Sequence, residues 1–219
     1  RALLEDLEAL FGAYFDKALR FVRQECRQMI PTVDLNLVQS FLDLLLALLR
    51  AEQIVLDNQD ADTPVGLETV RLLFAFCYVW SFGANVDERS QEKFDSFARD
   101  ALENVMLFPP FGLVYDFQMD LPLKRFVTWQ ASVPEFQYDS SVPFFQIVVP
   151  TVDTVRYAYL LRALLRARKP VMYNGVSGVG KSVLMTACLA ESCEPLALQV
   201  VSIQFSAQTS SARTQEMIE

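Results

Sequence analysis

Histidine is absent from all 219 residues. That removes every Ser-His-Asp or Cys-His nucleophile arrangement and every histidine-containing zinc site from this chain. Cysteine occurs four times (Cys26, Cys77, Cys188, Cys193) without a C-x-x-C spacing, in helix-like text or just beyond it, which is the pattern of reduced core thiols in a cytosolic protein rather than a metal or redox centre. Positive charge is in short supply: 19 Lys and Arg stand against 27 Asp and Glu, a net charge of -8 and a pI near 4.7. A nucleic-acid partner held through its phosphates needs clustered Lys and Arg, so no such partner is expected. No signal-peptide pattern opens the sequence, and the most apolar run, Leu72 to Phe82, is too short to cross a bilayer; a core helix is expected there, and no membrane partner. The acidic run Asp57-Asn58-Gln59-Asp60-Ala61-Asp62 falls short of a calcium loop, because Thr63 stands where the turn glycine and Thr69 where the closing glutamate are required.

Glycine is scarce as well, with seven in the chain, yet three fall in Gly175-Val176-Ser177-Gly178-Val179-Gly180-Lys181-Ser182. This octapeptide fits G-x-x-x-x-G-K-[ST], a pattern that chance produces in a chain this long on the order of one per cent of the time. Its context agrees: Lys169 to Asn174 reads as a short buried strand entering the loop, and Ser182 to Glu191 as a helix leaving it. Glycines permit a loop whose backbone N–H groups surround phosphate oxygens, helped by the positive end of the following helix. Lys181 would supply a point charge to the β and γ phosphates, and Ser182 a hydroxyl to Mg²⁺. The plainer alternative is a glycine-rich turn with an exposed lysine.

With 52% hydrophobic residues and 12% aromatics, the chain has ample material for a core. From Ala2 to Met29, Leu4, Leu7, Phe11, Phe15, Ala18, Val22 and Cys26 recur at three- and four-residue steps, which predicts one long helix ended by Pro31. A second helix starts at Thr32-Val33-Asp34 and stays apolar through Leu49. A third surrounds Phe76 and runs to Gly83-Ala84-Asn85; a fourth spans Asp87 to Met106. After Pro109-Pro110 the β-like runs 112–117 and 125–130, around Asp120-Leu121-Pro122, predict a hairpin, and Val133-Pro134 and Val142-Pro143 mark an extended linker. The last stretch alternates: strand-like 145–149, a helix from Thr151 to Ala167, a strand, the glycine loop, a helix, a strand Leu198 to Phe205, and a helix from Ser210. The tetrad Pro-Thr-Val-Asp, at Pro31 and again at Pro150, reads as one helix-start device used twice, with Thr as cap, and not as a repeat. Both ends read as cut, and no apolar strand ending in acid follows Ser182. The phosphate half of a hydrolytic site is therefore expected, without the carboxylates that hold Mg²⁺ and orient water, so the fragment alone is not expected to hydrolyse nucleotide.

Val149-Pro150-Thr151-Val152-Asp153-Thr154-Val155-Arg156, the glycine loop, and Phe205-Ser206-Ala207-Gln208-Thr209-Ser210-Ser211-Ala212-Arg213-Thr214-Gln215 together resemble the third AAA+ module of dynein heavy chains, particularly axonemal ones. Upstream, Phe21-Val22-Arg23, Ile30 to Val38, Trp80-Ser81-Phe82-Gly83-Ala84-Asn85 and Lys93-Phe94-Asp95 look like the helical end of the second module. The resemblance implies an α/β fold: an AAA+ P-loop NTPase fragment with a helical lid subdomain (1–108), a connecting segment with a β-hairpin (109–148), and an incomplete parallel-sheet nucleotide-binding core (149–219). It implies ATP or ADP with Mg as cofactors, and Val149, Pro150 and Thr151 as adenine-side residues, although capping alone would explain Thr151. The implied partners are the neighbouring AAA+ modules of the same heavy chain. Intermediate and light chains and microtubules would be reached through parts outside this sequence. The implied setting is a ciliary or flagellar axoneme, in a motor whose third module regulates the main ATPase site. Gln208 and Arg213 match family positions without an assigned role. An isolated fragment would leave sheet edges unpaired and is expected to be poorly soluble. A stand-alone P-loop ATPase or small-molecule kinase with a helical accessory domain is the alternative reading of the same loop, and a helical scaffold with a fortuitous glycine turn is the third.

Overall fold

A computed structural model describes residues 2–52, 66–137, 147 and 149–219. Four helices build the first half: α1 (Ala2–Glu25), α2 (Asp34–Ala51), α3 (Leu67–Tyr78) and α4 (Glu88–Leu102), with one turn of π-helix, Val79–Gly83, extending α3. The apolar stripe of α1 buries Leu7, Leu10, Ala18 and Val22, while Leu4, expected on that stripe, is exposed. Aromatic rings hold these helices together. Phe15 lies edge-on to Phe41 at 4.8 Å and to Phe82 at 5.3 Å, and Phe41 lies 5.2 Å from Phe74. Such pairs contribute about 0.5–1.5 kcal/mol each beyond the area they bury. All of Leu72 to Phe82 is buried, as expected for a core helix.

Helix ends differ from the expectations for identifiable reasons. The first helix stops at Glu25 rather than Met29, because the Asp87 N–H donates to the Arg27 carbonyl and the Met29 N–H to the Asn85 carbonyl, with Gln28 and Val86 forming an isolated antiparallel bridge. The fourth ends at Leu102 and closes in a turn through Val105 and Met106. At Pro31 the cap position is Val33, not Thr32. The Asn36 Oδ1 accepts from the Val33 N–H at 3.2 Å, whereas the Thr32 hydroxyl donates to Gln28. At Pro150 the expectation holds: Thr151 caps α5 (Val152–Arg166) reciprocally with Thr154.

The hairpin forms, with its first strand later than the expected run 112–117: β1 (Phe117–Asp120) pairs antiparallel with β2 (Arg125–Thr128), Phe117 opposite Thr128 and Asp120 opposite Arg125. Residues 112–116 are turn and 3₁₀-helix instead of strand. Gly112 takes a left-handed φ of 63°, the Leu113 N–H donates to Asp116 and the Val114 N–H to Asp95 of α4. Buried Trp129, just past β2, donates from Nε1 to the Tyr115 carbonyl at 3.1 Å. The main core contains Phe117, Phe126 and Trp129 together with the four helices, and it continues into α5 through Leu160 and Ala163 and to Ala167 just past its end.

The last third contains α5, α6 (Lys181–Cys193) and α7 (Ser211–Ile218, capped by Ser210). Neither expected strand, Lys169 to Asn174 or Leu198 to Phe205, has a ladder partner, and the two-stranded hairpin is the sheet found among the described residues. Burial still alternates along the first of them: Val171 and Tyr173 pack into a small cluster with Ala158 and Leu161 of α5 and Cys188 of α6, while Met172 and Asn174 are exposed. The expected strand at 145–149, the Val142-Pro143 linker and the acidic run 57–62 lie wholly or mostly outside the described residues.

Candidate functional site

A loop of glycines in left-handed conformations joins the 171–174 segment to α6. Gly178 and Gly180 adopt φ of 86° and 81° and Gly175 a φ of 154°, in or at the edge of the region that side chains rarely enter. A Cβ on Gly178 or Gly180 would meet no atom within 4 Å, so what demands glycine there is backbone conformation and not crowding. Gly180 stands at the N-cap position of α6 with no side-chain oxygen bonding the first turn, whereas α4, α5 and α7 carry Asp87, Thr151 and Ser210 as caps. The opening N–H groups of α6 are therefore left to other acceptors, an arrangement suited to an anion.

Lys181 folds its ammonium back into the loop, donating to the carbonyls of Gly175 at 2.9 Å and Val176 at 2.5 Å. Val176, Ser177, Gly178, Val179, Gly180 and Ser182 are exposed around it. All eight motif residues are thus contiguous in one solvent-facing loop and helix start. The ammonium sits at its centre, and the Ser182 hydroxyl lies at the second position of the helix. These residues fit a phosphate chain: glycines that let the backbone curl, uncapped helix amides, and one cation held by loop carbonyls.

Supports reach this loop from α5. The Tyr173 hydroxyl donates to the Tyr157 carbonyl at 2.6 Å, and Arg162 pairs with Glu191 of α6 at 2.5 Å. Burial pushes the Tyr173 phenol and the Cys188 thiol above their usual pKa values, so both stay neutral at ordinary pH. At the far end of α5, Val149 and Thr151 are exposed and Pro150 half-buried, with the Thr151 hydroxyl engaged in its cap. Among the described residues no cluster of three His, Cys, Asp or Glu could hold a metal, and no helix is long and apolar enough to cross a membrane.

The joint between the helical half and α5 was not visible in the sequence. Arg156 donates to the Tyr115 carbonyl, 41 residues away, and pairs with Asp116 and Asp153. The Tyr115 hydroxyl in turn donates to the Gly83 carbonyl. Such a node is long-range in sequence, and no local spacing signals it.

A helical unit joined to a glycine loop that leads through Lys-Ser into a helix defines a P-loop nucleotide-binding module with an attached helical lid. Residues 7–131 match the family model described as dynein heavy chain AAA lid domain, and residues 136–219 match the P-loop containing dynein motor region. The chain is 39% identical to dynein axonemal heavy chain 6 of Homo sapiens over 96% of its length, and 30% identical over its whole length to dynein axonemal heavy chain 2 of Homo sapiens. It is likewise 30% identical to the dynein-1-beta heavy chain of the flagellar inner arm I1 complex of Chlamydomonas reinhardtii. It spans about 5% of the length of each of these relatives. The chain belongs to the dynein heavy chain family, which favours the motor module over the kinase and scaffold alternatives.

Proposed function

We propose that this chain is the lid of one AAA+ module followed by the phosphate-binding opening of the next, in a heavy chain that drives ATP-dependent, minus-end-directed movement on microtubules in cilia or flagella. The single observation that carries the nucleotide assignment is the loop 175–182, with its left-handed glycines, uncapped helix start and central Lys181 ammonium. In this reading the Gly175 to Lys181 backbone holds the phosphates of ATP or ADP, the Lys181 ammonium exchanges the Gly175 and Val176 carbonyls for phosphate oxygens, and the Ser182 hydroxyl is a Mg ligand. Val149, Pro150 and Thr151 form the adenine side. Bound Mg would supply charge neutralisation at the phosphates.

The domain assignment is 1–108 for the lid, 109–148 for the connector and 149–219 for the start of the large subdomain. The segments 171–174 and 198–205 are strands of a parallel sheet whose intervening strands come from elsewhere in the heavy chain. The alternating burial of 171–174 supports this, as do the exposed Val200, Val201 and Phe205. Neighbouring AAA+ modules are the direct partners. Intermediate and light chains and microtubules are engaged by other parts of the molecule, within the axoneme named for several of the relatives.

The test is photolabelling of the intact heavy chain with 8-azido-ATP, mapped by peptide analysis. Label within 149–182 that disappears in Lys181→Ala is the expected result. Undiminished label there in Lys181→Ala contradicts the assignment.

A further inference from the structure

We propose that Arg156 is a positioning residue for the base side of the nucleotide, holding the segment 149–151 at a place set by the preceding lid. The inference rests on the adenine-side reading of Val149, Pro150 and Thr151 given above and deepens it.

Arg156 sits in the second turn of α5, immediately beyond the Thr151 cap. Its guanidinium divides between two bodies. Nη2 pairs with Asp153 in the first turn of its own helix at 2.6 Å, while Nη1 reaches the Tyr115 carbonyl at 3.4 Å and the Asp116 carboxylate at 3.5 Å, both in the connector. The plane also lies 5.1 Å from the Tyr157 ring. The Tyr115 carbonyl is shared with Trp129 Nε1, and the Tyr115 hydroxyl is tied to Gly83 at the end of the π-turn. One side chain thus links the first turn of α5, and the chain entering it, to the rear of the lid core. A planar fork can serve several acceptors at fixed angles, which a lysine ammonium cannot reproduce.

The joint is not a sealed jigsaw. A cavity of about 90 Å³ is lined by Trp80, Gly83, Tyr115, Asp116, Arg156 and Tyr157, among others. Two donors buried behind its lining, Trp80 Nε1 and Arg156 Nε, have no acceptor among the described residues. The space is large enough for water, and water bonded there would let the guanidinium shift between Asp116 and Tyr115 without baring its charge. Lid displacement then moves the start of α5, to which Val149 to Thr151 are joined directly, whereas the glycine loop is reached only through the Tyr173 hydroxyl on the Tyr157 carbonyl and through α6.

A purely structural role would weaken every ligand alike; a positioning role separates base from phosphates. In the intact heavy chain, 8-azido-ATP label mapped to 149–182 is competed with ATP and, separately, with inorganic tripolyphosphate. Arg156→Lys keeps the charge and loses the fork; Asp116→Asn alters the connector side and leaves Arg156 itself intact. The expected result is that the advantage of ATP over tripolyphosphate shrinks roughly tenfold in Arg156→Lys, and in the same direction in Asp116→Asn, with tripolyphosphate competition unchanged. Equal weakening of both competitors, or no change in either, overturns the proposal. Lys181→Ala run in parallel separates the two readings: it must abolish label whatever Arg156 does, and label that survives in Lys181→Ala, or is absent in the wild type, removes the underlying site and this inference with it.

Discussion

Tyr78, the last residue of α3 before the π-turn, buries a hydroxyl for which no described residue provides a partner. An unsatisfied buried donor costs about 1–3 kcal/mol, so Tyr78→Phe is expected to leave α3 as stable or more stable, read as equal or greater hydrogen-exchange protection across 67–83. Burial also raises the phenol pKa values of Tyr78, Tyr115 and Tyr159 well above the ordinary 10.0. The folded chain keeps these protons while the unfolded chain releases them near pH 10. The stability they support is therefore complete below that pH and is lost as pH rises beyond it. Pulse proteolysis within 67–83 by an alkaline protease should accelerate above about pH 10, less steeply in Tyr78→Phe. Gly83 is the opposite case, a residue that must stay small: a Cβ there would lie 2.4 Å from the Phe94 ring and 2.7 Å from the Tyr115 hydroxyl. Gly83→Ala should cost about 1–3 kcal/mol, seen as lost exchange protection in 79–94 and at the Tyr115 turn.

Helices were legible in the sequence because their signal is local. The three- and four-residue spacing of Leu7, Phe11, Phe15, Ala18 and Val22 needs no knowledge of what packs against it, and Thr151 and Ser210 announce their helices by chemistry alone. What escaped was decided by distant partners: the early stop of α1 at its bridge to Val86, and the turn at 112–116 that Asp95 draws away from the hairpin. The two Pro-Thr-Val-Asp starts offer a direct contrast. Thr151→Ala should fray α5 by about 1 kcal/mol, detected as faster exchange at 152–156. Thr32→Ala should leave α2 unchanged, whereas Asn36→Ala should fray its first turn. Equal effects at both threonines would contradict the assignment of Val33 as the cap position. The glycine loop was legible for the same reason as the helices, since its spacing is contiguous and its backbone demands fall on glycine itself. The Arg156 joint was not, because Tyr115 and Asp116 come near it only once the lid has folded.

Across the whole molecule the two halves differ in finish. The lid core encloses Phe41, Phe74, Phe76, Phe82 and Phe94 almost completely, while beyond α5 Met172, Val176, Val179, Val183, Val200, Val201 and Phe205 face outward. So many large apolar side chains exposed within one stretch of chain fit surface that is covered in the larger protein. A parallel sheet built around 171–174 and 198–205 would cover part of it, and its strands would have both faces buried. On the proposed reading the glycine loop would stand at the end of such a strand, with the helical half packed on α5. An electron cryomicroscopy map of the intact heavy chain with a non-hydrolysable ATP analogue tests this most directly. The account predicts phosphate density inside the 175–182 loop, the Lys181 ammonium moved off the Gly175 and Val176 carbonyls onto that density, and 171–174 paired within a parallel sheet. A loop without phosphate, with Lys181 still bonded to its own carbonyls while other modules of the ring are filled, would contradict it.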